Sequence, residues 1–106
     1  MISQSTMDEA IRRLVKAYNP LQIYLYGDYA EGTANEESTV DLLLVVESSE
    51  ERVIKRSYLA FDALLGLRMP NNVSVFTKAE FDQYAQDRNS TTYEIKTQGK
   101  LIYARN

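Results

Sequence analysis

The sequence predicts an α+β fold: a small mixed β-sheet with helices packed on it. Three observations predict this class. Short apolar runs closed by turn residues alternate with segments of helical periodicity. One run, residues 40–46, reads Val-Asp-Leu-Leu-Leu-Val-Val, the near-continuous aliphatic pattern of a strand covered on both faces. A Ser/Thr-x-x-Glu capping pattern stands ahead of four separate helical segments. With 106 residues, 44% of them hydrophobic and 25% charged, the chain suits one domain (1–106) with a single core.

The elements follow in order. Thr6 and Glu9 have capping-box spacing, and Ile11, Leu14, Val15 and Tyr18 recur at helical period until Asn19-Pro20 ends the segment. Residues 21–26 form an apolar and aromatic strand closed by Gly27, and residues 40–46 form the central strand. Between them Gly27, Gly32, Asn35 and Ser38 punctuate a loop with room for one helical turn. Ser48 and Glu51 offer the next cap, for a helix over residues 49–65 in which Ile54, Tyr58, Phe61 and Leu65 make one apolar stripe and Gly66 is the stop. Residues 73–76 read as a third strand. Thr77 with Glu80 caps a helix whose buried face is Phe81, Tyr84 and Ala85; Thr91 with Glu94 caps another that ends at Gly99. Residues 101–103 make a short last strand. Tyr18, Tyr58 and Tyr84 sit at helical spacing with apolar neighbours and are expected in the core. Arg12, Arg13 and Lys16, and likewise Arg52, Lys55 and Arg56, are expected to form solvated basic faces.

Composition narrows the chemistry. Without Cys there is no disulfide framework or thiolate, and without His there is no imidazole base and no common zinc site. Any chemistry falls to carboxylates, hydroxyls and amines. The start of the chain lacks the basic and apolar regions of a signal peptide, and no apolar run is long enough to span a bilayer, so a cytoplasmic protein with no membrane partner is expected. Net charge is -3, but it is distributed unevenly. Between Lys16 and Arg52 lie eight acids and no base, a charge of -8, against +5 for the rest of the chain. Nucleic-acid binding is not expected from this pattern.

The segment Tyr24-Leu25-Tyr26-Gly27-Asp28-Tyr29-Ala30-Glu31-Gly32, followed by Ser38-Thr39-Val40-Asp41-Leu42-Leu43-Leu44-Val45-Val46, resembles the minimal nucleotidyltransferases of the DNA polymerase β superfamily. In that family a strand ends in Gly-Ser, and a second strand carries Asp-x-Asp before an aliphatic run. The spacing matches with Gly27 at the Gly and with Thr39 and Asp41 at the two Asp positions. Val73-Ser74-Val75-Phe76 sits where the family has a third strand with a third Asp, and Gly99-Lys100-Leu101-Ile102-Tyr103 resembles its closing segment. The resemblance therefore covers most of the chain and implies a nucleotidyltransferase-like fold, with Gly27 and Asp28 at the nucleotide-binding turn.

The family chemistry explains its residues. Two divalent cations about 3.5–4 Å apart activate the attacking oxygen and neutralise the leaving pyrophosphate. Mg²⁺ takes oxygen ligands, and acids at i and i+2 of one strand point the same way. Here Asp41 is the only acid kept at the three positions, with Thr39 and Ser74 at the others, and Asp28 stands where the family has Ser. Those departures predict a degraded two-metal site and no need for a cofactor, so that no residue is expected to be catalytic. The protein is then expected to act through protein–protein contact in an antitoxin-like or regulatory role. By resemblance, the partner is a small helical HEPN-type protein or a second copy of the chain. The alternative is a weak or atypical Mg²⁺-dependent transfer of a nucleoside monophosphate from NTP to a protein or small-molecule hydroxyl, with Asp41 assisted by Asp28 or Thr39 at one ion. For Asp28 and Asp41 the plain structural roles are a turn residue and a strand-end carboxylate.

Overall fold

The computed structural model of the chain describes residues 1–105. Strands β1 (Gln22–Tyr26), β2 (Val40–Val46), β3 (Asn71–Thr77) and β4 (Lys100–Ala104) form one mixed sheet in the order β3-β2-β1-β4. β1 runs antiparallel to both β2 and β4, while β2 and β3 are parallel. A parallel neighbour needs a crossover, and helix α3 (Val53–Ala63) supplies it. The expected mixed sheet with helices is the observed fold.

Alternation along the strands sorts the core into two halves. Ile23 and Leu25, then Val40, Leu42, Leu44 and Val46, then Val73 and Val75 face one side. They are covered by helix α1 (Gln4–Tyr18), through Met7, Ala10 and Leu14, and by α3 through Ala60 and by Leu64 just beyond it. The opposite side carries Tyr24, Leu43 and Val45, covered by Phe81 of helix α4 (Lys78–Tyr84) and Ile95 of helix α5 (Thr91–Gln98). Tyr24 and Phe81 stack with ring centroids 5.5 Å apart. β2 is thus buried on both faces, as its aliphatic run requires.

Helix starts differ from the expected caps in three places out of four. Ser3, not Thr6, caps α1 by accepting the Thr6 N–H at 3.1 Å, and Glu9 instead binds Arg12 and Arg13. Ser48 and Glu51 cap nothing; α3 begins four residues later than expected, after Arg52, with no side-chain cap, and ends at Ala63. Ser90 rather than Thr91 caps α5, accepting from Tyr93 N–H. In each of the two side-chain caps a hydroxyl upstream, at the true Ncap, reaches the amide three residues on, and the downstream Thr lies inside the helix. Thr77 and Glu80 do form the expected reciprocal box on α4.

Two further expectations are overturned around α3. Its apolar stripe does not face the core: Ile54, Tyr58, Phe61 and Leu65 are 70%, 61%, 68% and 59% exposed. The residues that face inward are Arg56, Ala60 and Leu64. Tyr58 is therefore not a core residue, and neither is Tyr84, which stands exposed with its edge against Phe76. Tyr18 is half-buried and donates its hydroxyl proton to the Arg56 carbonyl.

Arg56 is not on a solvated face but 8% exposed. Its guanidinium grips Glu80 at 2.5 and 3.1 Å and donates to the carbonyls of Glu51 at 3.0 Å and Val75 at 3.3 Å. One side chain thereby joins the entry to α3, strand β3 and the capping box of α4. The hydrogen bonds from Arg56 hold the Glu80 carboxyl below its ordinary range. Because the folded state depresses that value, the stabilisation is complete above the ordinary Glu range and fades as pH falls through it toward the folded value. Arg56→Ala should lower unfolding free energy by about 2–3 kcal/mol in urea titrations, since two carbonyls lose their donor and Glu80 keeps only the Thr77 N–H. Between pH 6 and pH 3 the wild type should lose more stability than Glu80→Gln does, by the same measurement.

Candidate functional site

The site lies where β1 turns into helix α2 (Asp28–Glu31) beside the start of β2. Tyr26 is directly across from Asp41 in the antiparallel register, and Gly27 follows with φ 72° and ψ -154°, a region open essentially to Gly alone. A Cβ at Gly27 would stand 2.4 Å from Asp41 Oδ2. The strand-end Gly is therefore required both by its backbone angles and by the closeness of the Asp41 carboxylate.

The structure brings Gly27, Thr39 and Asp41 together. Thr39 donates its hydroxyl proton to Asp41 Oδ1 at 2.8 Å, as i and i+2 side chains on one face can. In the parallel register Asp41 lies beside Asn72, and Ser74 lies two pairs further, beside Leu43, on the same face. Tyr26 completes the group: burial raises its phenol above the ordinary tyrosine range, the Asp41 charge raises it further, and the Ser74 hydroxyl acts the other way. Tyr26 and Asn72 were missed from sequence. Tyr26 is placed there by the antiparallel register that sets it opposite Asp41, and Asn72 by the parallel register, neither of which a sequence pattern shows.

Asp28 does not join them. It opens α2 rather than ending a strand, and its carboxylate accepts from Thr33 Oγ1 at 3.1 Å and Ser38 Oγ at 3.0 Å. Ser38 in turn accepts the Asn35 N–H, and Asn35 accepts the Glu37 N–H. The carboxylate thus organises the loop over residues 33–38, with side-chain hydroxyls as partners where a turn residue was expected to use amides. A small cavity of about 120 Å³ opens beside Gly27, lined by Tyr26, Ala30, Glu31, Glu94 and Gly99 among others; both charges named there are negative.

These residues do not fit a pair of divalent cations. Among the described residues no group of three acidic side chains is placed to hold a metal ion. Asp41 shares its oxygen with a neutral hydroxyl, the third position is Ser74, and both oxygens of Asp28 are engaged in the loop. A hard cation prefers carboxylate, and beside Thr39 and Ser74 the Asp41 carboxylate is a single charge.

The arrangement of strand, Gly turn, second strand and parallel third strand defines a nucleotidyltransferase domain. The family model described as "Polymerase beta, Nucleotidyltransferase" matches residues 9–106, and the chain belongs to this family. The relative named "Putative protein adenylyltransferase MJ1305", from Methanocaldococcus jannaschii, is 31% identical over 103 residues, spanning 93% of this chain and 70% of its own. Among solved structures, one described as a "putative nucleotidyltransferase" from Sulfolobus solfataricus superposes with a TM-score of 0.58 at 20% identity, over 98% of this chain and 91% of that one. A toxin–antitoxin structure with AMP-PNP superposes with a TM-score of 0.66 at 21% identity, over 93% and 73%. Both structures share the fold with this chain.

Gly27 and Gly32 separate the two demands at the turn. Both have positive φ, but a Cβ at Gly32 would meet open space. Gly32→Ala should destabilise by about 1–2 kcal/mol, from backbone strain alone. Gly27→Ala should exceed it by a further ~1–2 kcal/mol in chemical unfolding, because strain and the Asp41 contact add.

Proposed function

We propose that this chain is a nucleotidyltransferase-family protein that does not transfer nucleotide and works by binding another protein, in an antitoxin-like or regulatory role. The observation that carries this reading is the isolation of Asp41. Of the three positions that hold metal in the family pattern, two offer only hydroxyls, and one of those hydroxyls already occupies Asp41. Phosphoryl chemistry depends almost wholly on positioning and charge neutralisation, so loss of the cation pair removes most of what the fold would contribute. Asp28, Glu31, Glu36 and Glu37, on the turn and loop between Gly27 and Asp41, add repulsion toward a triphosphate, with no Lys or Arg between Lys16 and Arg52 to offset it.

The toxin–antitoxin neighbour supports a protein partner for this fold, and a helical HEPN-type protein is the partner that the family resemblance suggests. The opposing reading is nucleoside monophosphate transfer from NTP to a hydroxyl; it draws on the name of the M. jannaschii relative. It needs an ion at Asp41 with oxygen ligands from Thr39 or Asp28.

Isothermal titration of the purified protein with ATP and GTP, in Mg²⁺ or Mn²⁺ and then in EDTA, separates the two. The proposal expects no saturable heat with nucleotide at millimolar concentration, and the same flat trace for Asp41→Asn. Binding that requires metal and vanishes in Asp41→Asn would overturn it.

A further inference from the structure

Helix α3 and the turn that ends it carry two stripes. Arg56, Ala60 and Leu64, each four residues from the next, face the sheet, while Ile54, Tyr58, Phe61 and Leu65 stand in solvent. Isolated exposed apolar side chains are common, but three on one line of so short a helix, continued by Leu65 just past its end, form a patch. Their spacing of four, three and four residues is the 3.5-residue repeat of a helix that packs lengthwise against another helix. The chain itself supplies no helix there: α1 lies on the far side of Leu59, across a groove that also contains Lys55 and Asp62.

We infer that this stripe is the interface of a two-fold homodimer, in which α3 packs antiparallel on α3 of a second copy. Charge selects this occupant. Lys55 and Asp62 lie one heptad apart on the same flank of the stripe, both exposed, and neither has an ion-pair partner among the described residues. When two stripes align antiparallel, Ile54 lies over Leu65 of the partner subunit and Tyr58 over Phe61 of the partner subunit. Lys55 then falls opposite Asp62 of the partner subunit, and the two-fold axis repeats the pair. A parallel pairing does not match these charges. Such self-complementarity is what an isologous interface demands, because each copy presents the same surface to the other. The stripe by itself is short of the ~800 Å² per partner of a standard interface. The groove beside Asn71 and Val73 of edge strand β3, lined also by Tyr58 and Phe61, extends it.

The inference gives the exposed face of α3 an occupant and stands apart from the protein-binding reading; it is tested by mass rather than by nucleotide, so either can fail without the other. Sedimentation equilibrium of the full chain at micromolar concentrations should give twice the 12.2 kDa chain mass. Phe61→Glu should give a folded monomer whose urea midpoint matches that of wild type diluted below its dissociation constant, since Phe61 is exposed in the single chain. Lys55→Glu should weaken the dimer about tenfold, and Lys55→Glu with Asp62→Lys should restore it. A monomeric wild type would leave the stripe to a different protein and overturn the inference. So would a dimer that survives Phe61→Glu, or a double charge exchange that fails to restore association.

Discussion

Strand β2 must be covered on both faces, and the rest of the molecule is arranged around that need. Six of its seven residues are buried and aliphatic; Asp41 is the exception. A buried strand of this kind requires sheet neighbours on both edges and helices on both faces, which β1, β3, α1, α3, α4 and α5 provide. The position of the site follows. A carboxylate can be tolerated only near the strand's open end, and there the close approach of Asp41 leaves room for nothing larger than Gly27.

Arg56 shows the second constraint, how the crossover is held. A buried guanidinium is expensive to desolvate, and it is stable here because the Glu80 carboxylate and two backbone carbonyls satisfy its donors. The same Glu80 closes the capping box of α4. The helix on one face of the sheet and the helix on the other are therefore tied through one ion pair at the end of β3. That frees the outer stripe of α3 from any part in the core.

Much of this was legible in the sequence. The sheet and all the helices longer than one turn could be read from periodicity and from the aliphatic run at residues 40–46, and one turn of helix was expected between Gly27 and Thr39. The capping hydroxyls were displaced because a Ser upstream competes with the Thr that completes the box, as Ser3 does with Thr6 and Ser90 with Thr91. The α3 stripe misled for a physical reason: periodicity reports that a face is apolar, not what it packs against. At the site, Gly27, Thr39, Asp41 and Ser74 were named from the family resemblance, and the structure sets Gly27, Thr39 and Asp41 side by side. The engagement of Asp28 with Thr33 and Ser38 was hidden, because it depends on how the loop folds back. Asn72 depended on register.

Fold and chemistry rest on different residues in this domain. The fold persists because apolar alternation and a Gly turn persist, whereas metal binding depends on three carboxylates that contribute nothing to the core. The most direct test is Mn²⁺ binding followed by electron paramagnetic resonance, in the wild type and in Thr39→Asp with Ser74→Asp. The account predicts that the wild type leaves the free-ion signal unchanged into the millimolar range and that the two restored acids tighten binding by about tenfold or more. Loss of the free-ion signal at micromolar wild-type protein, abolished by Asp41→Asn, would contradict it.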